Sequence, residues 1–271
     1  MKLRCQWSLG DSLLQEYHDK EWGVPIHDDF LLFEHLSLGG AQAGLSWLTI
    51  LKRRQGFKKA FAGFDPNKVA QYESDKIESL LQNTAKLISD GKIVGWYQGK
   101  MEWGPRSLGN RSILADPREA KMKDILNEKI KHRESFRPFA PSILEEHTTD
   151  YFDIDIPSPY MLMVTSVKQP DKIPAVTHVD YSARVQTVHK DTNPKYHSLI
   201  TRFRELTGCP VIVNTSFNVR GEPIVQSPMD AYKCFMRTEM DYLAMGDFLL
   251  DIEDQPEFID ELDWREEFEL D

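Results

Sequence analysis

The sequence predicts an α+β protein in two parts, an all-helical leading segment and then an α/β domain. Three observations carry that reading. Up to about Asn83 the apolar residues recur at helical spacing, and no strand is legible. After Lys86 short runs rich in β-branched and aromatic residues appear. Helical stretches separate those runs, and strands alternating with helices belong to α/β or α+β domains.

In the leading segment, "DSLLQEYHDKEWG" opens on an Asp/Ser cap and carries apolar residues at helical spacing. "DDFLLFEHLSLGG" has acids in its first turn and glycines after its last, in accord with the helix dipole and C-cap preferences. "LSWLTILKRRQGFKKAFAGF" gives a helix apolar on one side and basic on the other, through Lys52, Arg53, Arg54, Lys58 and Lys59. Such a face could touch phosphates, although charged helix faces are usually only solvated. "DPNKVAQY" and "ESDKIESLLQN" each start with an acid or a proline suited to a short helix. Downstream, "KIVGWYQG", "YMLMVTSV", "ARVQTV", "CPVIVNTSF" and "YLAMGDFLL" read as buried strands. "EAKMKDILNEKIKHRE", "PKYHSLITRFRELTG" and "PMDAYKCFMRTEM" read as helices between them. The seam falls near Thr84, with no Pro/Gly/Ser linker. This gives a helical segment over 1–84, an α/β domain over 85–250 and a tail over 251–271.

Composition bounds the function. A chain of 271 residues has room for two modest domains. It contains no apolar run of about 18 residues, so no membrane span is expected. The start "MKLRCQWSLGDS" lacks an apolar signal core, which points to the cytoplasm. Cys5, Cys209 and Cys234 are too few and too scattered for a disulfide framework. From Asp251 onward eleven acids face one base, Arg265, and so account for the whole net charge of −10. That acidity belongs to the tail and says little about what the body binds. The tail is expected to be solvated, docking of "WREEFEL" on the body being the alternative.

The motifs that carry chemistry are arginines set among chain breakers. "GKMEWGPRSLGNRSILADPR" is the first, and "KIKHRESFRPFAPS" repeats the theme with Lys131, Arg133 and Arg137. "VDYSARVQTV" places Arg184 on a strand. "VIVNTSFNVRGEPI" sets Asn214, Ser216, Asn218 and Arg220 just after another. A phosphate-bearing substrate needs fixed cations, and the guanidinium fork pairs with phosphate oxygens in bidentate fashion. Glycine and proline let backbone approach and add N–H donors. Polar groups at strand ends are where ligands sit in α/β folds. The alternative is that each arginine holds a loop by bonding its carbonyls.

"MEWGPRSLGNRSILADPR", "FRPFAPSILEE", "PAVTHVDYSARVQTV" and "NTSFNVRGEPIV", in this order, resemble the C-terminal domain of the bacterial O-carbamoyltransferase family over about Ala85 to Leu250. The resemblance implies a YrdC-like fold with a mixed sheet. It implies conversion of carbamoyl phosphate and ATP into carbamoyl adenylate, with release of pyrophosphate. Carried over by position, Lys131, Arg137 and Ser216 would be catalytic, and Arg106, Met161, Arg184 and Asn214 would bind substrate and nucleotide. Mg²⁺ would accompany ATP, with Asp180 the nearest candidate carboxylate and His178 beside it. Delivery to an acceptor hydroxyl would need the family's larger N-terminal domain, here expected as a separate protein.

The leading segment resembles something else. "RCQW", "YHDKEWGVP", "LFEHL", "AQAGLSWLTILKRR" and "AFAGFDPNKVA" are similar to the start of DNA 3-methyladenine glycosylase I, over about Arg4 to Asn83. That resemblance implies a base-flipping pocket with Tyr17 and Trp47 as its aromatics, and DNA as partner in this reading alone. Gly39 stands where the family carries an acid that bonds the base. Cys5 and His18 match half of the family's zinc site, and the other half has no counterpart, so zinc is not expected. Repair activity is not expected either. A third reading is a recombined, non-catalytic chain. Helices that lack their usual packing partners should expose an apolar face or cover it in a dimer.

Overall fold

The computed structural model describes residues 4–42, 45–70 and 74–258. The chain divides into two compact units, Met1–Asp75 and Lys76–Asp271. The division precedes Thr84 because a helix runs through that position, with Leu80, Leu81, Ala85 and Ile88 buried in the core of the second unit.

The first unit holds helices α1 (Ser12–Lys20), α2 (Asp29–Ala41), α3 (Trp47–Ala60) and α4 (Pro66–Ala70). The Asp11, Asp28 and Ser46 side chains cap the first three by accepting from Leu13, Leu31 and Thr49 N–H. Leu38, Ile50 and Phe64 form a small core. Arg54 does not lie on the free basic face. Its Nε donates to Glu34 at 2.7 Å and a terminal nitrogen to Glu21 at 2.8 Å, because buried Glu34 needs a counter-ion. Trp22, Val24, Leu31, Leu32 and Leu36 are exposed, in line with the apolar face expected.

The second unit starts with α5 (Ser74–Ser89) and is built on a mixed sheet of seven strands, as the sequence predicts. In chain order its main strands are β1 (Val94–Tyr97), β2 (Arg111–Ala115), β3 (Ala140–Leu144), β6 (Gln186–Val188), β7 (Val211–Ser216), β8 (Tyr242–Met245) and β9 (Phe248–Asp251). They stand in the order β6-β3-β7-β2-β1-β8-β9, with β1–β8 and β3–β6 parallel. Strands β4 (Val164–Ser166) and β5 (Ser182–Arg184) form a separate ribbon. Helices α6 (Met122–Ile125), α7 (Thr148–Tyr151), α8 (Pro194–Thr207) and α9 (Pro228–Met236) complete the unit.

Several segments differ from their sequence reading. β2 and β3 lie inside arginine- and proline-rich motifs whose breakers mask a buried strand. "YMLMVTSV" yields only the short, largely exposed β4. "ARVQTV" is shared between the ribbon and the main sheet. "YLAMGDFLL" folds back as the β8–β9 hairpin, turning at Gly246 with φ +62°. The "EAKMKDILNEKIKHRE" helix is cut short: after α6 the chain widens into a π turn over Leu126–Ile130. The tail begins docked, since Ile252 N–H donates to Asp241 and the Phe258 ring packs edge-on to Tyr232. "WREEFEL" lies outside the described residues. No helix among the described residues is long and apolar enough to cross a membrane.

Candidate functional site

The π turn delivers Lys131. Its N–H closes the wide turn onto Leu126 O, and His132 follows in left-handed backbone at φ 45°. The side chain is buried and runs under the end of β7. There its Nζ donates to Ser216 O at 2.5 Å and to Asn218 O and Oδ1 at 2.8 Å, with Ser216 Oγ at 3.4 Å. Burial pushes the ammonium down to about 7, with Cys234 and Glu222 working in the opposite sense. Glu222 sits close by, and burial raises its carboxyl. The Glu222 side chain accepts from Val219 N–H at 2.8 Å and its carbonyl accepts from Asn218 Nδ2, so it fixes the loop that faces Lys131.

Asn214 lies two residues before Ser216 on β7, hence on the same face. It is 1% exposed, and both its amide protons go to protein, to Ser107 O at 3.2 Å and Gln186 Oε1 at 2.8 Å. Its Oδ1 accepts from Ser107 Oγ at 3.0 Å. Gln186 in turn accepts from Ser142 and donates to Leu108 O. Asn214 is therefore the centre of a buried polar network, and Ser107 links it to the neighbouring Arg106.

Arg106 is exposed on its loop, and Arg184 lies near enough to feel its charge. Burial first, and then Arg106, lowers the Arg184 guanidinium. Arg184 Nε is buried without a hydrogen-bond acceptor, and no carboxylate pairs with either arginine among the described residues. Two like charges with no counter-ion form a ready anion site. Met161, buried with φ 55°, and Tyr181, with φ 61°, flank the β4–β5 ribbon that carries Arg184. Strained non-glycine backbone of this kind clusters where function fixes it.

A third group follows Lys131 in the chain. Arg137 pairs with Glu134 at 3.2 Å, and Arg133 donates to Asn127 and lies over the Phe139 ring at 5.0 Å. The Glu134 carboxyl is held down by its own backbone N–H and by Arg137, Arg220 and Arg133. Arg220 shares a loop with Asn218 and so connects this group to Lys131. Asp180 gives its carboxylate to Ser182 N–H and Oγ, and His178 Nδ1 lies 3.1 Å from the same hydroxyl. Among the described residues no cluster of three or more His, Cys, Asp or Glu could hold a metal ion.

The first motif contains a role that the sequence reading missed. Backbone N–H groups of Leu108, Asn110 and Arg111 do not face a ligand: all donate to the Glu102 carboxylate at 3.0–3.2 Å. Arg111 is buried against Gln98 and Gly99 carbonyls and the Tyr97 ring, and Arg118 is held by Asp116. Of the arginines in that stretch only Arg106 is left for a substrate. An acid directly preceding a glycine-rich loop was the available signal for such a cap.

The first unit has a hollow of about 440 Å³ lined by Trp7, Tyr17, Trp22, His35, Gly39, Gln42 and Trp47. Tyr17 and Trp47 meet at 5.1 Å between ring centroids. Gly39 is part of the wall, and a Cβ built there touches nothing within 4 Å. Cys5 and His18 come together through the Cys5 backbone N–H, which donates to His18 Nε2 at 3.2 Å.

Comparison with known proteins agrees with both halves. The methyladenine glycosylase family matches residues 7–99, running through α5 and β1. Among solved structures, a 3-methyladenine DNA glycosylase I (TAG) is similar to this chain, 49% identical with a TM-score of 0.27, over 30% of this chain and 45% of that one. The protein sll1178 of Synechocystis sp. is 52% identical over 225 residues, 75% of this chain and 36% of its own length. The 3'-hydroxymethylcephem-O-carbamoyltransferase of Amycolatopsis lactamdurans is 45% identical over 143 residues, 53% of this chain and 27% of the enzyme. The chain thus spans about a third or less of these two relatives. The carbamoyltransferase C-terminus family matches residues 85–251, most of the sequence and nearly all of the described second unit, and the chain belongs to that family.

Proposed function

We propose that the second unit activates carbamoyl phosphate with ATP, forming carbamoyl adenylate and releasing pyrophosphate and inorganic phosphate. The observation that carries this is the Arg106–Arg184 pair, free of any described carboxylate, with Ser107 beside Arg106 bonded to Asn214 on β7, the strand whose end accepts from Lys131. Water first cleaves carbamoyl phosphate into carbamate and inorganic phosphate; a carbamate oxygen then bonds to the α-phosphorus of ATP and the bond to pyrophosphate breaks. Negative charge gathers on the phosphoryl oxygens in flight. The Arg106 and Arg184 guanidinium groups stabilise that charge without giving up a carboxylate partner, and Lys131 contributes its positive charge from beneath β7. Lys131 and Ser216 meet where the transferring group would sit, Arg106 and Arg184 hold phosphate oxygens, and Arg137 reaches in after releasing Glu134. Asn214 acts through Ser107, keeping the Arg106 loop in place.

Mg²⁺ would be carried in mainly by the nucleotide phosphates. The chain's own contribution would be small, since the Asp180 carboxylate is already engaged by Ser182. A cytoplasmic setting supplies both substrates. Transfer to an acceptor hydroxyl is assigned to a separate domain or protein. Purified chain should exchange labelled pyrophosphate into ATP only when carbamoyl phosphate is present; exchange that ignores carbamoyl phosphate, or none at all, overturns the reading.

The aromatic hollow of the first unit favours a second reading, binding of a flat base without excision. Gly39 leaves the wall without the carboxylate that base release needs, and there is room to restore one. Gly39→Glu should therefore increase release of methylated base from alkylated DNA; equal release by both forms removes this reading.

A further inference from the structure

Trp103 is 97% exposed, the most exposed large apolar side chain among the described residues. Its loop is nevertheless tied down. The adjacent Glu102 carboxylate gathers three backbone N–H groups from 108–111, and Gly104 (φ +92°) and Pro105 fix the turn that follows. A rigid mount that holds an indole out in water suits a surface that something else covers.

The indole forms one wall of a cleft of about 670 Å³, with Met101 and Pro105 beside it. Asn218, Glu222, Pro223, Ile224 and Gln226 complete its lining. Asn218 is also the residue that accepts twice from Lys131, so this cleft and the candidate site share a wall residue. Arg106 lies further along the Trp103 loop. We propose that Trp103 is the platform on which the purine ring of the nucleotide stacks, an inference that rests on the nucleotide-activating reading of Lys131.

A purine has apolar faces and polar edges. Trp103 offers a π face, Pro223 and Ile224 an apolar surface, and Gln226 an amide for the ring edge. From there the phosphates extend toward Arg106 and Lys131. Stacking on an aromatic side chain tolerates any base, so the cleft sets nucleotide affinity more than base identity. The sharing of Asn218 between the cleft and Lys131, and Arg106 on the same loop as Trp103, favour a small ring over a protein surface as the occupant.

Equilibrium dialysis of ATP against the full chain, paired with pyrophosphate exchange, tests this. Trp103→Ala should weaken ATP binding by roughly 5- to 100-fold, the range of one base–aromatic stack. The KM for carbamoyl phosphate should stay unchanged, and Trp103→Phe should recover most of the lost ATP affinity. ATP binding by Trp103→Ala equal to that of the unmodified chain overturns the proposal and assigns the indole to a protein partner, while leaving the activation reading intact. Failure of the unmodified chain to bind ATP overturns both. Equal losses in the alanine and phenylalanine variants also overturn it, since a merely structural role would produce them.

Discussion

Lys131→Met removes a titrating group from the interior and leaves one that cannot titrate. In the folded chain burial brings Lys131 from an ordinary 10.5 to about 7. Between those values the unfolded chain holds more protons than the native one, so stability rises with pH across that window. The penalty is complete below about pH 7 and relieved by about pH 10.5. At 1.36 kcal/mol per unit, the change from pH 6 to pH 9 is about 3 kcal/mol. Methionine adds a different effect. It strands Asn218 O, at about 1–3 kcal/mol independent of pH, while Ser216 O keeps the Asn218 N–H and Asn218 Oδ1 keeps the Ser216 hydroxyl as donors. Urea unfolding at pH 6, 7, 8 and 9, followed by near-ultraviolet circular dichroism, separates the two. The stability of the unmodified chain minus that of Lys131→Met should climb by about 3 kcal/mol over the series. A constant difference would refute the reasoning and show that the oxygen acceptors hold the ammonium charged throughout.

Other expectations follow from packing and charge. Gly109→Ala should lower stability by about 3 kcal/mol or more, read as a fall in Tm, because the residue has φ +105° and its Cβ would clash with the Tyr196 ring. Arg54→Met should destabilise the first unit by about 3–5 kcal/mol, since buried Glu34 and its neighbour Glu21 would lose their shared cation; a thermal melt of helical signal measures it.

The fold was legible where one local rule decided it. Helical spacing and Asp or Ser caps marked α1, α2 and α3, and the apolar run of "CPVIVNTSF" marked β7. It was not legible where distant partners decide. β2 opens with Arg111, a residue that reads as surface until Tyr97 and the Gln98 carbonyl are seen to enclose it. The π turn before Lys131 has no composition of its own. For the site, residue type indicated that cations gather and could not say which remain available. Arg111 and Arg118 look like Arg106 in the sequence, yet Asp116 and backbone carbonyls claim them first. Asn214 reads as a ligand contact because it stands at a strand end, and only the positions of Ser107 and Gln186 reveal that its amide is already engaged.

The parallel pairing of β1 with β8 joins positions 148 residues apart, as in the Ile93–Asp241 bond. At ribosomal rates of about 5–20 residues per second, roughly 7 to 30 s pass between the emergence of the two strands. During that interval one edge of β1, with Ile93, Val94 and Trp96 around it, waits open beside a nascent chain. The β8–β9 hairpin, made long after β1, is thus the piece that covers this edge, and the domain must be guarded against aggregation until it emerges.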